Sequence, residues 1–355
     1  MYINFLAVII ISVLFYSCKS DNTPPINTKP EAYSKLNSPS NNSSYVLNDS
    51  IKVNYSVIKQ NVKPDSSQIY FDNNFIATIK NADASYSFIP SDGKTGAHKV
   101  ILKTFYNDGK SETLESNIRV LSDVYPKSEK FTVVRTYPHS KEDFTEGLEF
   151  YNGYIYESTG LEGKSLIKKY ELSSGKVLNE VTLDKQYFGE GITILDNKIF
   201  QLTWKNKKGF VYNLEDFKFI QNFSYNTEGW GMTNNGKELI MSDGTNKIYF
   251  LNPYSFAVTS NLQVFDNAGQ VPNINELEYY KGNIYANIWR TFLIIKIDAA
   301  TGKVLARMDL EELMHKAGSL QEIDVLNGIT VNPATGNLLV TGKLWNKIFE
   351  IKISE

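Results

Sequence analysis

At 355 residues, with 42% hydrophobic and 13% aromatic content, the chain has enough apolar material for one small and one large domain. Its 37 basic and 39 acidic residues nearly cancel, to a net charge of −2, which argues against the basic excess of a nucleic-acid or polyanion binder. One cysteine excludes an intrachain disulfide, and three histidines without ligand-like spacing (His98, His139, His315) argue against a histidine-rich zinc site.

In chain order, residues 5–16 (FLAVIIISVLFY) carry no charge and are too few to span a bilayer as a helix, but they suit a signal-peptide core. Ser17 and Cys18 follow in a pattern that resembles a bacterial lipobox, although the n-region carries no Lys or Arg. The expectation is a signal peptide over 1–18, lipid on Cys18, and an exported protein anchored to a membrane on the periplasmic side or the cell surface. Residues 19–35 are polar, hold three prolines and show no apolar period, so they read as a tether. Residues 36–123 then alternate apolar and polar in short runs such as IKVNYSV at 51–57 and VILKTF at 100–105, with turn signals at 72–74, 92–93 and 107–109. This predicts a small antiparallel β-sandwich of immunoglobulin-like kind, serving as a spacer, with Pro126 at its boundary.

From about residue 128 the chain repeats itself. Five short apolar segments recur: EGLEF at 146–150, EGITI at 190–194, GWGMT at 229–233, NELEY at 275–279 and NGITV at 327–331. Each leads through a turn into a second strand beginning at Tyr154, Ile199, Leu239, Ile284 or Leu338, with spacings of 45, 40, 45 and 54 residues. Third strands follow, and most copies end on a turn-and-strand tail such as SGKVL at 174–178. A four-stranded unit of this length, repeated five times, predicts a five-bladed β-propeller over 128–355. The last unit lacks an outer strand, which FTVVR at 131–135 can supply, closing the ring. Residues 310–316 carry an apolar i, i+3 pattern and predict a short surface helix.

In a propeller the loops entering the inner strands form one mouth, so Glu146, Glu190, Gly229, Asn275 and Asn327 fall on one ring. Such groups can also serve only to cap strands and bond neighbouring blades, the reading that suits Asn327 best. Glu190 lies between Gly189 and Gly191, a backbone that permits close approach of a ligand. Phe144, Phe188, Trp204, Trp230 and Trp289 fall in corresponding positions around the same mouth, while Trp345, just past Lys343, suits blade packing. An aromatic mouth of this kind accommodates a small apolar or cationic group.

The motifs FTEG at 144–147, ESTGL at 157–161, YFGEG at 187–191, GWG at 229–231, SDG at 242–244, NELEY at 275–279, NIW at 287–289, DVLNG at 324–328 and TGKLW at 341–345 occur in this order. Together they resemble the signature of the plant and bacterial glutaminyl cyclases, over about residues 128–355. The resemblance implies an all-β, five-bladed propeller that converts N-terminal glutamine of peptides or proteins to pyroglutamate and releases ammonia. It implies Glu190 as the central acid, with Asn275 and Lys343 as polar catalytic partners. It also implies a substrate pocket shaped by Phe144, Glu146, Phe188, Trp204, Trp230 and Trp289. The family usually has Gln where this chain has Glu146, which adds a second carboxylate near the substrate amine.

The reaction is intramolecular, so one carboxylate acting first as base and then as acid, beside donors for a developing oxyanion, suffices without cofactor or catalytic metal. A structural calcium in the channel is compatible with this reading. The expected partners are peptides with N-terminal glutamine and a membrane through the lipid anchor, with no nucleic acid, and the expected state is a monomer. Two other readings are a non-catalytic cell-surface propeller that binds peptide or glycan, and a metal-dependent propeller hydrolase or lactonase using Glu146, Glu190, Asn275 and Asn327.

Overall fold

The computed structural model describes residues 31–80, 85–319 and 321–354, so the expected signal peptide, the lipobox Cys18 and most of the tether lie outside the described residues. The structure is all-β, with one helix among the described residues.

The first unit packs a three-stranded sheet (Ser34–Ser38, Ile51–Val57, Tyr86–Phe88) on a five-stranded one, ordered Ser43–Val46, Ser111–Leu121, Gly96–Tyr106, Pro64–Phe71, Asn74–Ile79. Alternation does the work: Ile51, Val53 and Tyr55 from one sheet meet Ile69, Val100 and Leu102 from the other in a single buried cluster. Two details depart from expectation. Ser43–Val46 runs parallel to Ser111–Leu121, so the unit is not wholly antiparallel, because the chain changes sheets after Ser38. The first strand also begins inside the expected tether: the Tyr33 and Ser34 amides both donate to the Glu112 carboxylate, at 3.0 and 2.8 Å, and Tyr33 is buried.

Beyond Pro126 come five sheets in sequence order, here I to V, each built on four antiparallel strands. Their innermost strands are Thr145–Tyr151, Gly189–Leu195, Met232–Asn234, Ile274–Tyr280 and Leu326–Asn332. Each packs on the inner strand of the next, and the fifth returns onto the first, so the five close a ring. Second strands such as Tyr154–Thr159 and Lys198–Thr203 are buried nearly throughout, covered on both faces. Outer strands such as Val177–Thr182 alternate between half-buried and exposed.

Sheet V takes its outer strand from the start of the region. Lys130–Pro138 pairs antiparallel with Lys347–Ser354, from Lys130 opposite Ser354 to Pro138 opposite Lys347, as the missing fourth strand anticipated. An unanticipated pair, Lys127–Ser128, adds in parallel to Val304–Asp309 of sheet IV. The helix Glu311–Ala317 places Glu311 and Glu312 in its first turn and His315 and Lys316 in its last, matching its dipole, and buries Leu313 and Ala317.

The sandwich meets the edges of sheets III and IV. Thr95 donates its amide to Thr301 O (2.9 Å) and its hydroxyl to Gln263 O (2.9 Å), and the Gln263 side chain exchanges two hydrogen bonds with the Ala97 backbone.

Candidate active site

Four of the five inner strands break register at the same place. Pairing slips between Thr145 and Gly147, Gly189 and Ile192, Ile274 and Leu277, and Leu326 and Ile329. Each slip is a bulge, and each releases one expected polar residue from the ladder: Glu146, Glu190, Asn275 and Asn327. In sheet III the chain instead runs irregularly through Gly229–Gly231 before its short inner strand, and presents Trp230.

A cavity of about 400 Å³ opens at these bulges. Glu190, Asn275, Lys343 and Glu146 line it, with Phe144, Phe188, Trp204, Trp230 and Trp289 as its aromatic wall, so all nine residues expected at the site share one cavity. The wall is a chain of edge-to-face contacts: Phe144 to Phe188 at 6.2 Å, Phe188 to Trp204 at 5.6 Å, and Trp230 to Trp289 at 5.4 Å between ring centres. Asn327 does not line it. Its amide donates to Thr145 O (3.0 Å) and Glu146 Oε2 (3.2 Å), the inter-sheet bonding that its position suggested. Trp345 is fully buried, donating its indole N–H to Asp324 O, as a packing residue would.

The two carboxylates differ in their surroundings. Glu146 accepts from Lys343 Nζ at 2.6 Å, both side chains being buried, and Lys343 also lies 4.5 Å from the Phe144 ring centre. Burial pushes the Glu146 carboxyl up to about 7 against the pull of Lys343. Glu190 is 6% exposed and has no side-chain hydrogen-bond partner among the described residues. Burial, and then the charge of Glu146, raise it well above the usual carboxylate range. The Asn275 Oδ1 atom is buried without a partner. Glu146, held by a cation and an amide, is not engaged as a metal ligand would be, which weighs against the metal-hydrolase reading.

The glycines beside Glu190 serve a different purpose from the one expected. A Cβ on Gly191 would stand 2.3 Å from Met232 N and 2.6 Å from Trp230 O, and one on Gly189 would stand 2.7 Å from Thr159 O. The close approach is that of neighbouring backbone, sealed by Gly191 N donating to Trp230 O at 2.7 Å, and not of a ligand.

Several residues of the site were invisible to sequence reasoning. Glu228 receives both the Trp204 and the Trp230 indole N–H on one oxygen, at 2.8 and 3.0 Å, and so fixes two walls of the cavity. Only its place next to the GWG motif hints at this. Arg290, Asp324 and Val325 complete the lining. Behind the site, His139 Nε2 lies 3.1 and 3.2 Å from the two Glu157 oxygens, which also accept from Thr145 and Tyr170 at 2.7 and 2.8 Å. Lys168 pairs with Asp143, whose backbone oxygen accepts from Leu344 N, and His139 Nδ1 meets Trp345 O at 2.6 Å. His139, Asp143 and Glu157 have ligand atoms close enough for a metal, but their polar atoms are already bonded to one another and to these neighbours. The network ties the Phe144–Glu146 segment of sheet I to the Lys343–Trp345 segment of sheet V.

An aromatic pocket with one buried carboxylate that lacks a side-chain partner, beside one amide and one ammonium, suits a small cationic or amide-bearing group. Comparison with known proteins agrees. A family model described as glutamine cyclotransferase matches residues 109–353, and the chain belongs to this family. It is 37% identical over 238 residues to the glutaminyl-peptide cyclotransferase of Arabidopsis thaliana, covering 66% of this chain and 74% of that protein. Its fold resembles the crystal structure of Myxococcus xanthus glutaminyl cyclase, with a TM-score of 0.61 and 33% identity, over 65% of this chain and 99% of the other.

Proposed function

We propose that this chain is a glutaminyl-peptide cyclotransferase, which closes the N-terminal glutamine of peptides or proteins into pyroglutamate. The observation that carries the reading is Glu190: a buried carboxylate without a side-chain partner, facing a cavity walled by aromatic rings. A carboxylate raised in this way is a stronger base than an ordinary one, and its conjugate acid can return the proton at the pH of reaction. Glu190 takes a proton from the substrate α-ammonium. The freed amine nitrogen attacks the side-chain amide carbon, forming the ring C–N bond and an oxyanion. Asn275 and Lys343 donate to that oxygen, one Lys343 N–H being already hydrogen-bonded to Glu146. Glu190 then gives its proton to the amide nitrogen, the old C–N bond breaks and ammonia leaves. The carboxylate, ionised again, takes the surplus proton of the ring nitrogen to leave the neutral lactam and passes it to the departing ammonia. Phe144, Phe188 and the three tryptophans hold the glutamine folded and dry, which is the larger share of an intramolecular catalysis.

The five sheets serve as the blades of a propeller with the site at one mouth, and residues 36–123 as an immunoglobulin-like spacer; the closed ring of inner strands and the two-sheet core support these assignments. Export and anchoring through lipid on Cys18 rest on the sequence of residues 5–18. The reaction is assigned no cofactor. The neighbouring inner-strand acids that a channel calcium could use are Glu149, Glu276 and Glu278, but both Glu276 oxygens accept backbone N–H groups, from Leu148 (3.3 Å) and Ile329 (2.8 Å), Glu278 accepts from Val331 N (2.9 Å) and Glu149 from the Thr193 hydroxyl (2.9 Å). Those acids staple neighbouring sheets, a poor fit to an ion cage.

The test is ammonia release from a glutamine-initiated dipeptide by the purified protein, with and without chelator, and detection of the pyroglutamyl product by mass. Activity that survives chelation is the expected result. No ammonia from any such peptide refutes the assignment.

A further inference from the structure

The rim of the cavity carries a charge that cyclisation does not use. Arg290, just past the second strand of sheet IV, lines the cavity and is exposed. Its guanidinium carbon lies 4.4 Å from the centre of the Trp289 ring. Among the described residues it has no side-chain hydrogen bond and no ion pair. The other charged groups of the cavity are differently placed: Lys343 is bound to Glu146, Glu190 lies buried among the aromatic rings, and Asp324 gives one oxygen to Val325 N at 2.6 Å.

The backbone that carries the guanidinium is set by a tight turn. Arg290 has φ +61, the left-handed region that a non-glycine residue seldom occupies, in a turn closed by Thr291 N donating to Ile288 O at 3.1 Å. The contact with the Trp289 ring leaves the guanidinium N–H donors without a partner among the described residues, and their fork geometry matches a carboxylate.

A glutamine whose amine reaches Glu190 fills the deep end of the cavity, so the rest of the peptide leaves over the rim. We infer that Arg290 forms a subsite for a carboxylate on the residues that follow the glutamine, so that the enzyme favours substrates carrying negative charge there. The inference rests on the cyclase reading. The carboxylate can be an acidic side chain or the chain end of a short peptide. Asp324, on the neighbouring sheet at the same rim, repels such a group and confines it to the sheet IV side.

The test compares kcat/KM for Gln-Glu-amide, Gln-Ala-amide, Gln-Lys-amide and Gln-Ala with a free carboxylate. An exposed pair at this rim should favour the carboxylate-bearing peptides over Gln-Ala-amide by about fivefold, and the preference should shrink at high salt. Preference for Gln-Glu-amide identifies a side-chain subsite, and preference for free Gln-Ala identifies a chain-end subsite. Arg290→Gln should bring the ratio near one, Arg290→Glu should invert it toward Gln-Lys-amide, and Arg290→Lys should keep part of it. Equal kcat/KM for charged and neutral peptides in the wild type, or a preference that survives Arg290→Gln, overturns the inference alone. No ammonia from any of the four peptides overturns the cyclase reading and the subsite with it.

Discussion

The buried Lys343–Glu146 pair makes a prediction whose size follows from proton linkage. In the folded protein Glu146 is raised from 4.5 to about 7, chiefly by burial and despite Lys343. A carboxyl raised in this way stabilises the fold most below its unfolded value, and that stability is lost as pH rises through the folded value. In Lys343→Met both downward influences on Glu146 vanish, the charge and the hydrogen bond, so its folded value rises above 7. Below about pH 6 the acid is protonated with or without Lys343, and the variant should differ from wild type only by a pH-independent repacking offset. Above about pH 7 the wild type releases the proton while the variant retains it, so the gap widens by about 1.4 kcal/mol per pH unit. At about pH 9 the extra loss is roughly 3 kcal/mol, toward the low end of the ~3–5 kcal/mol for breaking a buried pair, because proton uptake caps the cost. Glu276 and Glu278 titrate in both proteins and cancel in the difference, whereas Glu190, which Lys343 also lowers, rises further in the variant and adds to the gap with the same sign. Urea unfolding followed by tryptophan fluorescence measures it, since all four tryptophans lie between 204 and 345 and report the five-sheet unit. Made in a Glu146→Gln background and compared with that single variant, Lys343→Met should lose the part of the gap that Glu146 supplies above about pH 7. A gap that is the same at every pH, or largest in acid, would refute the claim that Glu146 is the charge partner of Lys343.

Three further outcomes follow from the same geometry. Glu190→Gln should lower kcat by about 10²–10⁴ with little change in stability, since no side-chain hydrogen bond is lost; turnover within a few-fold of wild type would remove Glu190 from the proton path. Glu228→Ala leaves two indole N–H groups without their acceptor and should raise KM about tenfold with a smaller effect on kcat, whereas Glu228→Gln, which keeps an acceptor, should recover most of the loss. Gly191→Ala drives a Cβ into the Trp230–Met232 backbone and should cost about 3 kcal/mol in chemical denaturation; a neutral result would mean the inner strands are not packed as closely as described.

What could be read from the sequence and what could not divide along a physical line. Strand alternation and turn residues are local, so the five repeats, the helix at 310–316 and the closing strand from 131–135 were all legible, the last because an unpaired edge demands a partner. The aromatic wall was legible because corresponding repeat positions must face the same mouth. The bulges were not, since an inserted residue leaves the composition of a strand unchanged while altering the direction of its side chains. Partnerships between distant segments were equally hidden: Lys343 and Glu146 are 197 positions apart, and His139 and Trp345 are 206 apart. At Gly189 and Gly191 sequence shows that space is needed without showing what fills it, and neighbouring backbone fills it.

The pairing of Glu146 also resolves the departure that made this position ambiguous. A second free carboxylate beside Glu190 would compete for the substrate ammonium. Glu146 is instead neutralised by Lys343 at 2.6 Å and steadied by Asn327 at 3.2 Å, so the pair adds little net charge to the cavity. Its field at Glu190 is that of a dipole: the carboxylate raises Glu190 while the ammonium lowers it. Replacing Glu146 by Gln, the residue usual in the family, would leave Lys343 with only a carboxamide oxygen to hold. The uncompensated ammonium would then pull the Glu190 carboxyl down. Because Glu190 must be ionised to accept the amine proton, the acid limb of kcat/KM in Glu146→Gln should move to lower pH while substantial activity is kept. A shift to higher pH would mean that Glu146 lowers the pKa of the catalytic acid, opposite in sign to the field described here.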